Sequence, residues 1–143
     1  MNLPLNGWII RTATHRDLTA VVKLWALADA QPTVTDNVEA LRSLVATDPT
    51  ALLVADSGGE VVGSLIAAWN GWRGSFYRLA VHPDYRRRGL ASSLVSEAET
   101  QLRDRGALRM DAIVAEGEQG AMSFWKSIGY ELQIDRSRFV RNL

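Results

Sequence analysis

A run of three arginines and a glycine, placed between an apolar stretch and a helical pattern, is the part of the sequence best suited to chemistry. The first turn of a helix leaves main-chain amides unpaired and carries partial positive charge, so such a junction favours a phosphate group. The arginines add charge, the small residues leave the backbone accessible, and two hydroxyls can form hydrogen bonds. The residues that we expect around a phosphate are Arg86, Arg87, Arg88, Gly89, Leu90, Ala91, Ser92 and Ser93.

The junction differs from the two most common phosphate-binding loops, because it has one glycine where G-x-G-x-x-G needs three and lacks the G-K-[ST] ending of the P-loop. Nucleotide hydrolysis is therefore not expected. The segment Arg86-x-x-Gly89-x-Ala91 instead resembles the pyrophosphate-binding motif [QR]-x-x-G-x-[GA] of the GNAT superfamily of N-acetyltransferases. The alternative for this segment is an ordinary strand-to-helix connection with a solvated arginine run.

A second segment resembles the same superfamily. Residues 120–130 are typical of a short helix that ends at Gly129, and they are similar to the family segment A-x-x-[FLY]-Y-x-x-x-G-[FY]. With this segment, the resemblance extends from about residue 8 to the C-terminus. No repeat, linker or low-complexity tract indicates a second domain, so we expect one domain over residues 1–143.

Composition excludes several other classes of protein. The sequence has no cysteine and two histidines, which excludes a disulfide framework, a thiolate zinc site and a cysteine nucleophile, and we expect no metal. Sixteen basic and sixteen acidic side chains balance, so no nucleic-acid partner is expected. No apolar run approaches the roughly 20 residues that span a bilayer, and the N-terminus lacks a signal-peptide core. We therefore expect a cytoplasmic protein with no membrane partner.

Hydrophobic periodicity and turn residues indicate the elements that must position the arginine junction. A helix is expected from Leu18 to a point before Gln31-Pro32, and a second from a cap at Asp36, its predicted N-cap residue, to about Asp48. Contact with an amine is the alternative role for Asp36. A helix is also expected from Leu90 to Gly106. The expected strands are 8–11, 51–55, 60–68, 75–81, 108–114, 131–134 and 138–141.

The resemblance implies a fold of the α/β (α+β) class. It implies a mixed, mostly antiparallel sheet of six to seven strands flanked by about four helices, with a central parallel pair splayed to admit the cofactor. It further implies acetyl-CoA as the cofactor, with coenzyme A as product, and a primary amine of a small molecule, a peptide N-terminus or a lysine as acceptor. The resemblance leaves room for a homodimer.

Several residue roles follow from the resemblance alone. The main chain of Leu79, Ala80 and Val81 is expected to form hydrogen bonds with the pantetheine arm of the cofactor, which would lie along β-strand 75–81 like an added strand. The Val81 N–H is expected to donate to the acetyl oxygen. The side chains of Leu79 and Val81 can pack in the core at the same time. Glu118 stands where the family commonly has a cofactor-binding asparagine, and a solvated loop carboxylate is the alternative for it.

The sequence departs from the family pattern at two catalytic positions. Trp125 stands where the family often has a tyrosine acid, and an indole can donate a hydrogen bond to the departing sulfur without transferring its proton. Plain packing is an equal alternative for Trp125. Tyr77 replaces a frequent glutamate base, which leaves His82 as a candidate base, followed by Glu116 and Glu118, or deprotonation through water.

Aromatic residues are the remaining candidates for contact with an acceptor. Trp69 and Trp72 are able to stack on a cationic amine, or simply to anchor their loop, and Tyr77 is a third candidate. Because the usual tyrosine and glutamate are missing, an acyl-CoA-binding sensor or partner domain with little catalysis is the alternative to an N-acetyltransferase.

Overall fold

The computed structural model describes residues 5–28, 30–115 and 117–143. The chain divides into two compact units, residues 1–112 and 113–143. The first unit contains the arginine junction and the strand that precedes it, and the second contains Glu118 and Trp125. The single domain expected over residues 1–143 stays a prediction.

Over its described residues, the first unit is built on a sheet of five strands. Neighbours in the sheet follow the order of the chain, antiparallel from the first strand to the fourth and parallel between the fourth and the fifth. The mixed, mostly antiparallel sheet with one parallel pair is therefore confirmed. The strands are β1 (Ile9–Thr12), β2 (Leu52–Ser57), β3 (Glu60–Trp69), β4 (Gly74–Val81) and β5 (Met110–Ala112).

The number of strands expected from the sequence, six to seven, is wrong. The strand expected over 108–114 is reduced to the three residues of β5, and the strands expected over 131–134 and 138–141 are absent from the described residues. Their apolar side chains lie in solvent, with Ile134 88% and Phe139 96% exposed. A β-strand needs a neighbouring strand to pair its amides and carbonyls, and local composition cannot supply that neighbour.

Four α-helices occur among the described residues, in agreement with the expected number. Two single turns of 3-10 helix, His15–Asp17 and Pro83–Tyr85, accompany them. None of the described helices is long and apolar enough to cross a bilayer. The helices are α1 (Leu18–Leu27), α2 (Val38–Thr47), α3 (Leu90–Asp104) and, in the second unit, α4 (Gln119–Ser127).

Helices cover both faces of the sheet in the first unit. Buried side chains of α1 and α2 share one core cluster with Leu52, Val54 and Ala80 of the sheet. On the other face, α3 approaches so closely that a Cβ added to Gly63 would lie 3.1 Å from side-chain carbons of Leu90 and Leu94. Glycine at position 63 therefore lets α3 lie directly on β3, which sets the position of the first turn of α3.

An ion pair at the start of α1 gives a test by pH. Arg11 donates to both carboxylate oxygens of Asp17 at 2.8 and 2.9 Å, and the Thr14 amide donates at 2.7 Å. The pKa of Asp17 is lowered to about 2, chiefly by the hydrogen bonds from Arg11. An unfolded aspartate titrates near 3.9, so the ion pair stabilises the fold fully above about pH 4, and this contribution is lost as pH falls towards 2.

We therefore expect Asp17→Asn to lower the free energy of unfolding at pH 7 by about 1–2 kcal/mol, since Arg11 is 32% exposed and solvent screens the pair. The deficit should shrink as pH falls from about 4 to 2. Urea unfolding at several pH values measures both quantities. Asp104→Asn, at an exposed site on α3, is the matched control, and an equal deficit in that variant would contradict the assignment.

Candidate active site

The C-terminal half of β4 has an open edge. β5 pairs with β4 only from Gly74 to Phe76, and no ladder among the described residues covers that edge from Tyr77 to Val81. The His82 amide donates to the Val62 carbonyl at 2.8 Å, so by the alternation of an antiparallel ladder the Val81 amide points away from β3. The Val81 N–H is thus directed to the open edge, where a ligand could accept it.

A β-bulge lies in the same part of β4. Ser64 pairs with Ala80 and Ile66 with Tyr77, so Arg78 and Leu79 together occupy the place opposite Leu65. Arg78 has φ 52°, a left-handed conformation that costs a non-glycine residue roughly 1–2 kcal/mol. The bulge redirects the Arg78 side chain, whose position the strand alternation alone would not have predicted.

Arg78 holds the segment that connects α1 to α2. Its Nε donates to Asp36 Oδ1 at 2.9 Å, its terminal nitrogen bonds Asp36 Oδ2, and the same nitrogen donates to the Gln31 carbonyl at 2.6 Å. The prediction that Asp36 caps α2 is wrong, because Asn37 accepts the Ala40 amide at 2.9 Å in that role. Sequence reasoning missed Arg78, and its only signal was an arginine inside a mainly apolar strand.

A buried hydrogen bond ties α1 to the sheet beside the bulge. Trp25 Nε1 donates to Ser64 Oγ at 2.9 Å, Ser64 is fully buried, and its hydroxyl lies 3.4 Å from the Arg78 carbonyl. A cleft of about 430 Å³ opens next to this bond. Residues of α1 and the connecting segment line the cleft: Val22, Trp25, Ala30, Gln31, Pro32 and Asp36.

The arginine junction has the geometry of an anion site. Arg87 and Gly89 have φ 62° and 81°, and a Cβ added to Gly89 would meet nothing within 4 Å. Among the described residues, none accepts a hydrogen bond from the main-chain amides of residues 87–92. The Ser93 hydroxyl donates to the Gly89 carbonyl at 3.0 Å and so helps to hold the first turn of α3.

The junction also keeps its positive charge. Arg86, Arg87 and Arg88 are exposed, and no described carboxylate lies within ion-pair distance of them. Arg88 lies over the Tyr85 ring, 5.0 Å from its centre. Amides and guanidinium groups that have no partner in the described part of the chain, with an open approach, are a donor set suited to a diphosphate, so the residues present fit the cofactor.

His82 lies between β4 and the junction. Its Nδ1 accepts the Asp84 amide at 3.1 Å, so a neutral His82 ring carries its proton on Nε2. A base needs a free lone pair, and His82 would have to release Asp84 to provide one. Its predicted role as base stays a prediction, which the pH–rate profile of His82→Ala tests.

The structure does not bring all the predicted acceptor residues together. Trp69 and Trp72 flank the β3–β4 turn, whereas Val81 lies at the other end of the eight-residue β4. The length of β4 separates the turn from Val81 by roughly 25 Å. They line a separate pocket of about 400 Å³ with Arg73, Arg105 and Arg109. Tyr77, in contrast, is 40% exposed immediately before the bulge. Contact of these aromatic residues with an acceptor stays a prediction.

In the second unit, α4 forms as expected. The Glu118 carbonyl accepts the Met122 amide at 2.9 Å at the start of α4, and Gly129 has φ 95° after its end. The Trp125 ring meets those of Phe124 and Tyr130 edge to face, with centres 5.4 and 4.9 Å apart. The cofactor contacts predicted for Glu118 and Trp125 stay predictions, and Glu116 lies outside the described residues.

Comparison with known proteins identifies the family of the chain. Residues 18–130 match the Acetyltransferase (GNAT) family. Acetyltransferase SG1711 of Sodalis glossinidius is 36% identical over 124 residues, which is 87% of each chain. The crystal structure of Ard1 from Thermoplasma volcanium has a TM-score of 0.80 at 20% identity, over 89% of this chain and 84% of that one.

A second solved structure has the same fold and holds a ligand. PaiA N-acetyltransferase from Thermoplasma acidophilum, in complex with coenzyme A, has a TM-score of 0.75 at 16% identity, over 88% of this chain and 91% of that one. At these identities the solved structures establish the fold, whereas the family match and the curated relative cover most of the sequence. The chain therefore belongs to the acetyltransferase (GNAT) family and is an acetyl-CoA-dependent N-acetyltransferase.

Proposed function

We propose that the chain transfers the acetyl group of acetyl-CoA directly to a primary amine of a small molecule or a peptide, within a ternary complex. One observation carries the proposal: the open edge of β4 leads straight into a loop and helix start whose amides, at residues 87–92, have no acceptor among the described residues. An extended ligand that ends in a diphosphate would satisfy both sets of main-chain groups.

The main chain does most of the binding in this proposal. The amides of residues 87–92 and the guanidinium groups of Arg86, Arg87 and Arg88 hold the diphosphate. The edge of β4 from Leu79 to Val81 takes the pantetheine arm as an added strand. Because these contacts use amides, the side chains of Ala80 and Leu90 are free to pack in the core.

Catalysis then depends on a few polar groups. Acetyl-CoA would supply an acetyl thioester, whose carbonyl carbon bonds the amine nitrogen as the C–S bond breaks, and the departing thiolate takes its proton from water. The Val81 N–H donates to the acetyl oxygen as negative charge develops on it. The Trp125 indole donates to the departing sulfur, and the amine loses its proton to water or to His82.

Two measurements test the proposed function. Isothermal calorimetry should detect binding of coenzyme A, and mass spectrometry should find acetylated product from a panel of primary amines incubated with acetyl-CoA. An acyl-CoA sensor would bind coenzyme A and yield no product from any amine. If the protein takes up no coenzyme A, the anion site at the arginine junction is wrong.

Substitution of Trp125 separates a role in catalysis from packing. We expect Trp125→Phe, which removes the indole N–H, to lower kcat several-fold with little change in the affinity for acetyl-CoA, because one hydrogen bond is worth about 1 kcal/mol. Trp125→Tyr keeps a donor and should retain most of kcat. Equal turnover in both variants and the wild type would mean that Trp125 contributes only packing and does not act on the sulfur.

A further inference from the structure

The cleft at the bulge of β4 is the feature that the proposed transfer does not yet use. Its Trp25 wall is bonded to Ser64, and Ser64 lies opposite Ala80, the residue before Val81. The cleft therefore opens beside the end of β4 at which the Val81 amide is proposed to act. A group that enters it would belong to the molecule that presents the amine.

The walls of the cleft are mostly apolar. Val22, Trp25, Ala26, Ala30 and Pro32 supply side chains that offer neither charge nor, apart from the indole N–H, a hydrogen bond. That indole N–H is already donated to Ser64. Burial of the apolar part of a ligand against such a surface favours binding, whereas burial of a charge there opposes it.

Among the lining residues that the structure describes, Asp36 has the one charged side chain, and its charge is already balanced. Arg78 bonds both of its oxygens, and the Thr33 amide donates to Oδ2 as well. The side chains of Asp36 and Arg78 are only 10% and 22% exposed. A second cation brought into the cleft would therefore lose water without gaining an unpaired carboxylate from the described lining residues.

We infer that the cleft selects primary amines whose remaining part is apolar and uncharged, and that Arg78 determines this selectivity by neutralising Asp36. The inference rests on the proposed acetyl transfer to amines and names the class of acceptor for the same site. Arg78 acts here as a specificity-determining residue, because its guanidinium decides whether the cleft presents a free carboxylate.

The test compares two acceptors that differ by one charge. The probes are 2-phenylethylamine and its 4-aminomethyl derivative, which adds a second ammonium group to the same ring. We expect kcat/KM to be at least tenfold higher for the monoamine with the wild-type protein. Arg78→Gln frees the Asp36 carboxylate, which attracts the second ammonium group, so the preference should fall at least tenfold.

A charge cycle separates selectivity from damage to the fold. The double variant Arg78→Gln/Asp36→Asn has no charge at either position and should regain a preference within about threefold of the wild type. Arg103→Gln, at an exposed position on α3, is the matched control for loss of one arginine and should leave the preference unchanged. Thermal unfolding and calorimetry with coenzyme A establish that each variant is folded.

Each outcome decides the inference. Equal kcat/KM for the two amines with the wild type, or an unchanged preference in Arg78→Gln, overturns it. If neither amine is acetylated, calorimetry with protein saturated with coenzyme A measures amine binding. Tighter binding of the monoamine then supports the selectivity while counting against the proposed catalysis. No binding of the monoamine overturns the selectivity, and the wider amine panel decides the proposed function separately.

Discussion

Replacement of Ser92 by aspartate should weaken the binding of coenzyme A at least about tenfold while leaving the fold as stable as before, or more so. Ser92 is exposed in the first turn of α3, where its amide is one of those for which no described residue is an acceptor. A carboxylate there interacts favourably with the helix dipole, by about 0.3–1 kcal/mol. The same carboxylate repels a diphosphate at the arginine junction, and a tenfold loss corresponds to about 1.4 kcal/mol.

Calorimetry at low ionic strength measures the binding, and thermal unfolding measures the stability. Ser96→Asp adds the same charge one turn further along α3, on its exposed side, and should change the affinity far less. Pantetheine, which carries no phosphate, should bind Ser92→Asp and the wild type equally. An equal loss of affinity in Ser96→Asp, or for pantetheine, would contradict a diphosphate site in the first turn of α3.

Replacement of Leu94 by alanine should have the opposite pair of effects. Leu94 is fully buried between α3 and β3, where its side chain fills the space that glycine at position 63 leaves open. Removal of three carbon atoms from such a site leaves a cavity, and we expect the free energy of unfolding to fall by about 2–5 kcal/mol. Urea unfolding at neutral pH measures the loss.

The affinity of Leu94→Ala for coenzyme A should stay within about threefold of the wild type at temperatures well below its transition, because the binding amides belong to the main chain of residues 87–92. Leu27→Ala is the matched control, since Leu27 is 56% exposed on α1 and should lose less than about 0.5 kcal/mol. A similar loss of stability in both variants would mean that α3 is not packed as described.

Together, Ser92 and Leu94 test the two functions that the sequence assigns to one helix. The apolar positions of α3 attach it to the sheet, whereas its first turn presents amides to an anion. A change at either position should therefore alter one measured quantity and leave the other nearly unchanged. This separation is expected because the two residues face different surroundings, solvent for Ser92 and the core for Leu94.

Local signals in the sequence predicted most of the fold around the arginine junction. The strand before it, the turn with glycine at position 89 and the apolar face of α3 all depend on residues a few positions apart. The turn between β2 and β3 has a local signal of the same kind, because Gly58 and Gly59 favour the positive φ angles that it adopts. Preferences of this kind act along the chain and are readable without the fold.

Other features depended on residues far apart in the sequence. Arg78 and Asp36 are 42 positions apart, and Trp25 and Ser64 are 39 apart. Neither contact has a local signal, because each arises only after the bulge redirects one residue of β4 and α1 has packed on the sheet. The cap assigned to Asp36 failed for the same reason, since a cap and an ion-pair partner need the same acidic side chain.

The sequence by itself determined the class of fold and the family, and it predicted the position of an anion site, because periodicity, turn residues and main-chain amides at a helix start are local properties. Only the tertiary structure decided the number of strands, the open edge beside Val81 and the neutral cleft next to Arg78. Those features depend on which strands pair and which charges meet, and contacts between distant residues settle both once the chain has folded.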